Sequence, residues 1–206
     1  MLRAGKNRFG STEELGVFEM TETGLVPVTD VSGLYWNKAA ETVPGVAMTV
    51  AVEGSLPLIA EIQSLASATA FPYPKRTGRG VDVNKIQLFS AVLDKRCGIG
   101  CGLFDIYVNV AGGLLLREPA ADLALCAALA SAVRDVPLPG DCVFLGEVGL
   151  AGEIRPVVRL ARRLQEAARL GFTQAIVSAR EGGGGKVPLD VVRVSTLKDA
   201  LKAVIS

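Results

Sequence analysis

Between Pro119 and about Arg134 the chain reads Pro-Ala-Ala-Asp-Leu-Ala-Leu-Cys-Ala-Ala-Leu-Ala-Ser-Ala-Val-Arg. Proline is acceptable in the first turn of a helix, and everything after it favours one. The helix is apolar on nearly every face, so it has no stripe to show to water and must be buried. The fold therefore has to enclose it. A chain of 206 residues, half of them hydrophobic, is long enough for one domain, or one domain with a smaller appendage, and buries roughly 70 % of its unfolded surface. The apolar stretch is bounded by Asp122 and Arg134. It falls short of the roughly 18 uncharged residues of a membrane span, and the start of the chain carries no secretory-signal pattern. The expectation is a soluble chain with no membrane partner.

The segments around this helix alternate in period. Residues 16–20 and 25–28 read as a short antiparallel pair. A polar stretch through Asn37 to Thr42, ending at Pro44-Gly45, marks a boundary between a segment 1–37 and a domain 44–206. Residues 46–52 and 58–64 have period 2 and turn around Glu53-Gly54-Ser55, which predicts a second hairpin. From Val83 the period becomes helical, with Ile86, Phe89, Ser90, Leu93 and Cys97 on one face. Residues 104–110 alternate as a half-buried strand. Strands are expected at 142–150 and 153–157 turning at Ala151-Gly152, and at 174–178 and 191–194. Helices are expected at 159–170, with the apolar stripe Val157, Leu160, Ala161, Leu164, Ala167 and Ala168, and at 197–205. The class is mixed α/β, of the α+β kind.

The sequence contains no histidine. That removes Ser-His-Asp, Cys-His and His-based metal arrangements. Cys97, Cys101, Cys126 and Cys142 read as reduced core thiols, and no metal site is expected. The run Gly182-Gly183-Gly184-Gly185-Lys186 is not a phosphate loop: Arg180 stands where the first glycine is required and Val187 where Ser or Thr must be. It reads as a surface loop.

Charge is polarised although the total is only +1. Residues 71–96 carry six cations against two acids, and 155–169 carry five arginines against one acid, each a net of +4; 118–153 is −5. Lys75-Arg76-Thr77-Gly78-Arg79-Gly80 reads as a loop whose amides and guanidiniums are free to meet phosphates. The alternative is a solvated face or a subunit contact with the acidic segment. Arg159, Arg162, Arg163 and Arg169 are expected on the polar side of their helix.

Specific wording then enters. Lys6-Asn7-Arg8-Phe9-Gly10, Gly16-Val17-Phe18-Glu19-Met20, Val108-Asn109-Val110-Ala111-Gly112-Gly113, Glu118-Pro119-Ala120-Ala121-Asp122-Leu123-Ala124 and Gly146-Glu147-Val148-Gly149-Leu150-Ala151-Gly152-Glu153-Ile154-Arg155 follow in order. On these the chain resembles the C-terminal region of the bacterial RadA (Sms) DNA repair family over nearly its whole length. The resemblance implies the last strands of a RecA-like core over 1–37, then a Lon peptidase-like domain of the ribosomal protein S5 domain 2-like fold over 44–206. It implies Lys6 and Arg8 acting at the nucleotide site of a neighbouring subunit. ATP and Mg belong to the full-length family, and zinc to a finger absent here; this chain, lacking a Walker A segment, is expected to hold no cofactor and to hydrolyse no ATP alone.

The Lon likeness also raises a Ser-Lys peptidase. Aligning the family's motifs puts the serine position at Ala120 and the lysine position at Ala161, both methyl groups, which leaves neither nucleophile nor base. The implied function is a non-proteolytic scaffold that assembles into a ring, hexameric by the family's pattern, and binds DNA through Lys75, Arg76, Arg79 and Lys85 for a DNA-dependent ATPase of branch migration and homologous recombination. Implied partners are DNA, further copies of the chain and a RecA-type recombinase, in a bacterial cytoplasm or, for a eukaryotic source, an organelle. The alternative is a ring module with no DNA contact.

Overall fold

A computed structural model of the chain describes residues 2–3, 15–16, 18–22, 24–27, 42–54, 56–182 and 187–205. Two short antiparallel pairs come first: β1 (Leu2–Arg3) with β2 (Leu15–Gly16), and β3 (Phe18–Thr21) with β4 (Gly24–Pro27). Lys6, Asn7, Arg8, Phe9 and Gly10 lie outside the described residues, as do residues 28–41 around the expected boundary and most of the glycine run.

The rest is organised by a seven-stranded mixed sheet. Its strands are β5 (Val46–Glu53), β6 (Leu56–Ala68), β7 (Arg76–Arg79), β8 (Phe104–Val110), β9 (Cys142–Leu145), β12 (Gln174–Ser178) and β13 (Asp190–Val194), in the order β13-β12-β9-β5-β6-β8-β7. β5–β6 and β6–β8 are antiparallel; the other neighbours are parallel. Between β9 and β12 lie a small antiparallel pair, β10 (Glu147–Val148) and β11 (Ile154–Arg155), and the helix α3 (Leu160–Arg169).

Strand parity divides the sheet into two unequal faces. Ala60, Ile62, Ile106, Val108 and Val110 point to one side, where they meet α1 (Val83–Val92), the alanine-rich α2 (Asp122–Arg134) and the short α4 (Leu197–Lys202). Ten of the thirteen residues of α2 are buried, as its composition demands. Met48, Val50, Ile59, Val143 and Val177 point to the other side, where Leu160, Leu164 and Ala167 of α3 cover them. α3 packs on β5 and β6, and farther along the sheet this second face has no cover among the described residues: Gln63, Leu65, Tyr107, Thr77 and Arg79 are all exposed.

The expected elements form with four corrections. Residues 75–80 are not a free loop: Arg76–Arg79 is an edge strand paired in parallel with β8, and the Ile106 N–H donates to the Lys75 carbonyl at 2.9 Å. The strand expected over 142–150 breaks at Gly146. A Cβ there would lie 2.7 Å from Ile154 Cγ2, and Gly146 instead brackets the start of α2, accepting from the Leu123 N–H at 3.0 Å and donating to the Ala120 carbonyl at 3.1 Å. The helix expected over 197–205 is regular only to Lys202. In α3 the buried stripe contains Arg163 in place of Ala161.

The segment entering β5 and the end of α2 are joined by a backbone bridge between Pro44 and Pro137 and by one hydroxyl. Ser131 Oγ, fully buried, accepts from the Gly45 N–H at 2.8 Å and donates to the Val136 carbonyl at 2.6 Å. Gly45 has φ +87°, and a Cβ there would fall on the Ser64 carbonyl oxygen. Ser131→Ala leaves both groups without this partner in a buried place and is expected to lower stability by about 1–3 kcal/mol in urea denaturation. A change below a few tenths would contradict the assignment.

Candidate functional site

Ala120 closes a short 3₁₀ turn (Pro119–Ala121) that leads into α2, and it is 3 % exposed, packed with Val157, Leu160 and Leu164 under α3. Ala161, in the first turn of α3, is exposed. The two positions that the family likeness pairs as serine and lysine are thus a buried methyl and a surface methyl.

An ion pair that the sequence reading did not anticipate ties the same two segments together. Arg163, two residues beyond Ala161, is 0 % exposed, and its guanidinium forks onto Glu118, two residues before Ala120: Nη1 donates to Oε1 at 2.8 Å and Nη2 to Oε2 at 2.6 Å. Arg163 Nη1 also donates to the Val50 carbonyl, and Nε to the Val158 carbonyl at 3.1 Å. Four of the five N–H donors are engaged. The Val52 N–H donates to Glu118 Oε1 at 2.9 Å. A guanidinium can be carried into a protein interior only when its donors are met in this way. The signal was present in the sequence: Leu160, Arg163, Leu164 and Ala167 share the spacing of one helical face. Beside Glu118 an open cavity of about 480 Å³ runs along Val52, Leu115 and Arg117.

The expected DNA residues separate into two pairs. Arg76 points to the helical side and is consumed there, Nη1 donating to the Phe104 carbonyl at 2.6 Å and Nη2 to the Cys101 carbonyl at 2.9 Å. Lys85 Nζ meets Asp122 Oδ1 at 2.7 Å in the first turn of α2. Burial pushes the Asp122 carboxyl above the usual range, with Lys85 opposing it. Lys75 and Arg79 behave differently. They flank Thr77 on the open side of β7; Lys75 Nζ stands 4.4 Å from the centre of the Phe71 ring, and Arg79 is exposed with no carboxylate partner among the described residues. Beside Arg79 lie Asn109 and Gln63, hydrogen-bonded to each other at 3.0 Å, and beside Thr77 lie Tyr107 and Leu65. The structure brings cations, amides and an aromatic ring together on this face, with two carboxylates among them: Glu61, which accepts from Gln63 Nε2 at 2.7 Å, and Asp105 beside Lys75.

Burial disfavours the thiolate form of the cysteines. Burial pushes Cys101 and Cys142 up to about 12 and raises Cys97 and Cys126 as well. Among the described residues the four cysteines are free, and no three His, Cys, Asp or Glu side chains are grouped to hold a metal. No described helix is long and apolar enough to cross a membrane.

With that geometry in view, residues 98–202 match the Lon protease (S16) C-terminal proteolytic domain. The chain belongs to this family. Its Lon-type domain is α/β with a mixed sheet, as expected, and the whole chain is similar to proteins named DNA repair protein RadA. Identity is 45 % over 208 residues with that of Streptococcus pyogenes serotype M6, covering 100 % of this chain and 46 % of the relative. It is 45 % over 204 residues with that of Listeria monocytogenes (98 % and 45 %) and 44 % over 205 residues with that of Bacillus subtilis strain 168 (98 % and 44 %). The chain spans about half the length of the curated relatives it matches.

Two outcomes follow for the Lon-type domain. Arg163→Met strands the Glu118 carboxylate and the Val50 carbonyl and is expected to cost about 3 kcal/mol, at the low end for a buried pair because Glu118 keeps a quarter of its exposure. Adding Glu118→Gln should recover part of that loss in a double-mutant cycle; strict additivity would show that the pair is not coupled. The second concerns acid. The Lys75 N–H donates to Asp105 Oδ1 at 2.7 Å and, with Lys75 and Arg76 nearby, holds this carboxyl below its ordinary value. Because the folded value is lowered, its stabilisation is complete above the unfolded value of about 3.9 and is lost as pH falls through the folded value. Asp105→Asn should therefore flatten the acid limb of the stability curve below about pH 4, and an unchanged limb would contradict the assignment.

Proposed function

We propose that the chain is a non-proteolytic Lon-type module that serves DNA repair by binding DNA, with the open face of β6, β8 and β7 as its contact surface. The observation that carries the reading is Arg79, without a carboxylate partner among the described residues, on a sheet face with Asn109, Gln63, Tyr107 and Lys75 that no described element covers. Cations on such a face meet phosphates, and an aromatic ring there offers a stacking surface for an unpaired base. The similarity over the whole chain to proteins named DNA repair protein RadA supports the biological setting. Methyl groups at 120 and 161, and thiols that burial raises above their ordinary value, support the absence of peptidase chemistry.

The proposal extends to the longer protein: a RadA-type DNA-dependent ATPase, with ATP and Mg bound outside this chain, assembling as a ring in the cytoplasm and acting beside a RecA-type recombinase in branch migration. Lys6 and Arg8 keep their proposed role at a neighbour's nucleotide site. A ring held by basic segments against the acidic segment of a neighbour is disfavoured. Of the six acids in 118–153, Glu118, Asp122, Glu147 and Glu153 already pair with Arg163, Lys85 and Arg155 within the chain.

Anisotropy titration of labelled duplex and single-stranded DNA across salt tests the reading. Binding should weaken steeply with salt, and Arg79→Ala should reduce the slope of log K against log salt by about 0.7–0.9, one phosphate's worth. Lys85→Ala should leave that slope unchanged and lower the denaturation midpoint instead. Undetectable binding at low salt, or a slope insensitive to Arg79 and Lys75, would overturn it.

A further inference from the structure

A second cationic surface lies on the opposite, helical side of the sheet. Three helical segments converge there: the turn after α1, the end of α2 and α4, around a cavity of about 330 Å³. Its floor is aliphatic, with Ile99, Val136 and Ile205 half-buried; its rim carries Arg134, Lys198 and Lys202, all exposed. No acidic side chain lines it. The Arg134 guanidinium is fixed at the rim by its bond to the Gly98 carbonyl at 2.8 Å, and among the described residues none of the three cations has a carboxylate partner. Arg134 closes α2 and Lys202 closes α4, where the negative end of a helix favours a cation, so the fold gathers like charges here that would otherwise repel.

We propose that this cavity is a docking site for an acidic peptide segment carrying one bulky apolar side chain. The apolar side chain would fill the aliphatic floor and flanking carboxylates would meet Arg134, Lys198 and Lys202. The volume is at the small end for a ligand pocket and suits a single side chain with its backbone. Nucleic acid is the poorer occupant, because no aromatic side chain lines the cavity and a base has nothing to stack on. The site is independent of the open sheet face and of the DNA reading.

Fluorescence anisotropy with the intact chain tests it, using a labelled peptide of about ten residues with several aspartates around a single phenylalanine. Saturable binding is expected, weakened about tenfold or more by Lys198→Glu with Lys202→Glu and similarly by Ile205→Asp. Replacing the peptide's phenylalanine by alanine should weaken it comparably. Lys198 and Lys202 are exposed and Ile205 is half-buried, and circular dichroism checks that the fold is kept in each variant. Binding unaffected by both sets of variants would overturn the proposal. So would a short single-stranded oligonucleotide that displaces the peptide and is itself weakened by the two lysine changes, since the cavity would then be a phosphate site.

Discussion

The burial of α2 on all sides is the constraint from which the rest of the molecule is arranged. A helix with alanine, leucine and cysteine on every face can be stable in water only if a sheet covers one side and other helices cover the remainder, and here β5 and β6, α1 and α4 do so. Its two buried polar residues then need partners from the surrounding layer. Ser131 finds them in Gly45 and Val136, and Asp122 finds Lys85. A lysine that looks, in sequence, like part of a nucleic-acid surface is thereby drawn into holding the core helix.

The opposite face of the sheet is governed by how little covers it. α3 reaches across β5 and the first half of β6, and its buried Arg163 makes that cover rigid by forking onto Glu118 and onto the backbone of β5. In the Lon-type fold the segments bearing Glu118 and Arg163 also bear the positions that here are Ala120 and Ala161. The ion pair gives those segments a structural reason to stay together. Beyond the reach of α3 no described element covers the sheet, and parity places Arg79, Asn109, Gln63, Tyr107 and Leu65 there.

Local pattern carried much of this into view. The strand over 104–110 and the helix of alanines were legible because period 2 and an all-round apolar helix each have one physical reading. The break at Gly146 was not, because it depends on Ile154, a residue that approaches only after folding. The concentration of cations over residues 71–96 was legible, but not which of them the fold pairs and which it leaves exposed. Arg76 and Lys85 are spent on carbonyls and a carboxylate from residues 101, 104 and 122, contacts that no window of local sequence contains. Arg163 was misplaced for a related reason: its charge argued for solvent, whereas its spacing with Leu160 and Ala167 and its distant partner Glu118 put it inside.

On the proposed reading DNA meets the open face of β6, β8 and β7, and not the segments that carry Ala120 and Ala161. Mapping backbone amide shifts by NMR during titration with a short single-stranded oligonucleotide separates the two. Perturbations are expected at Thr77, Arg79, Tyr107 and Asn109, with little change at Ala120, Ala161 and Arg163. Shifts centred on Ala120 and Arg163, or no shifts on β7 and β8, would contradict it.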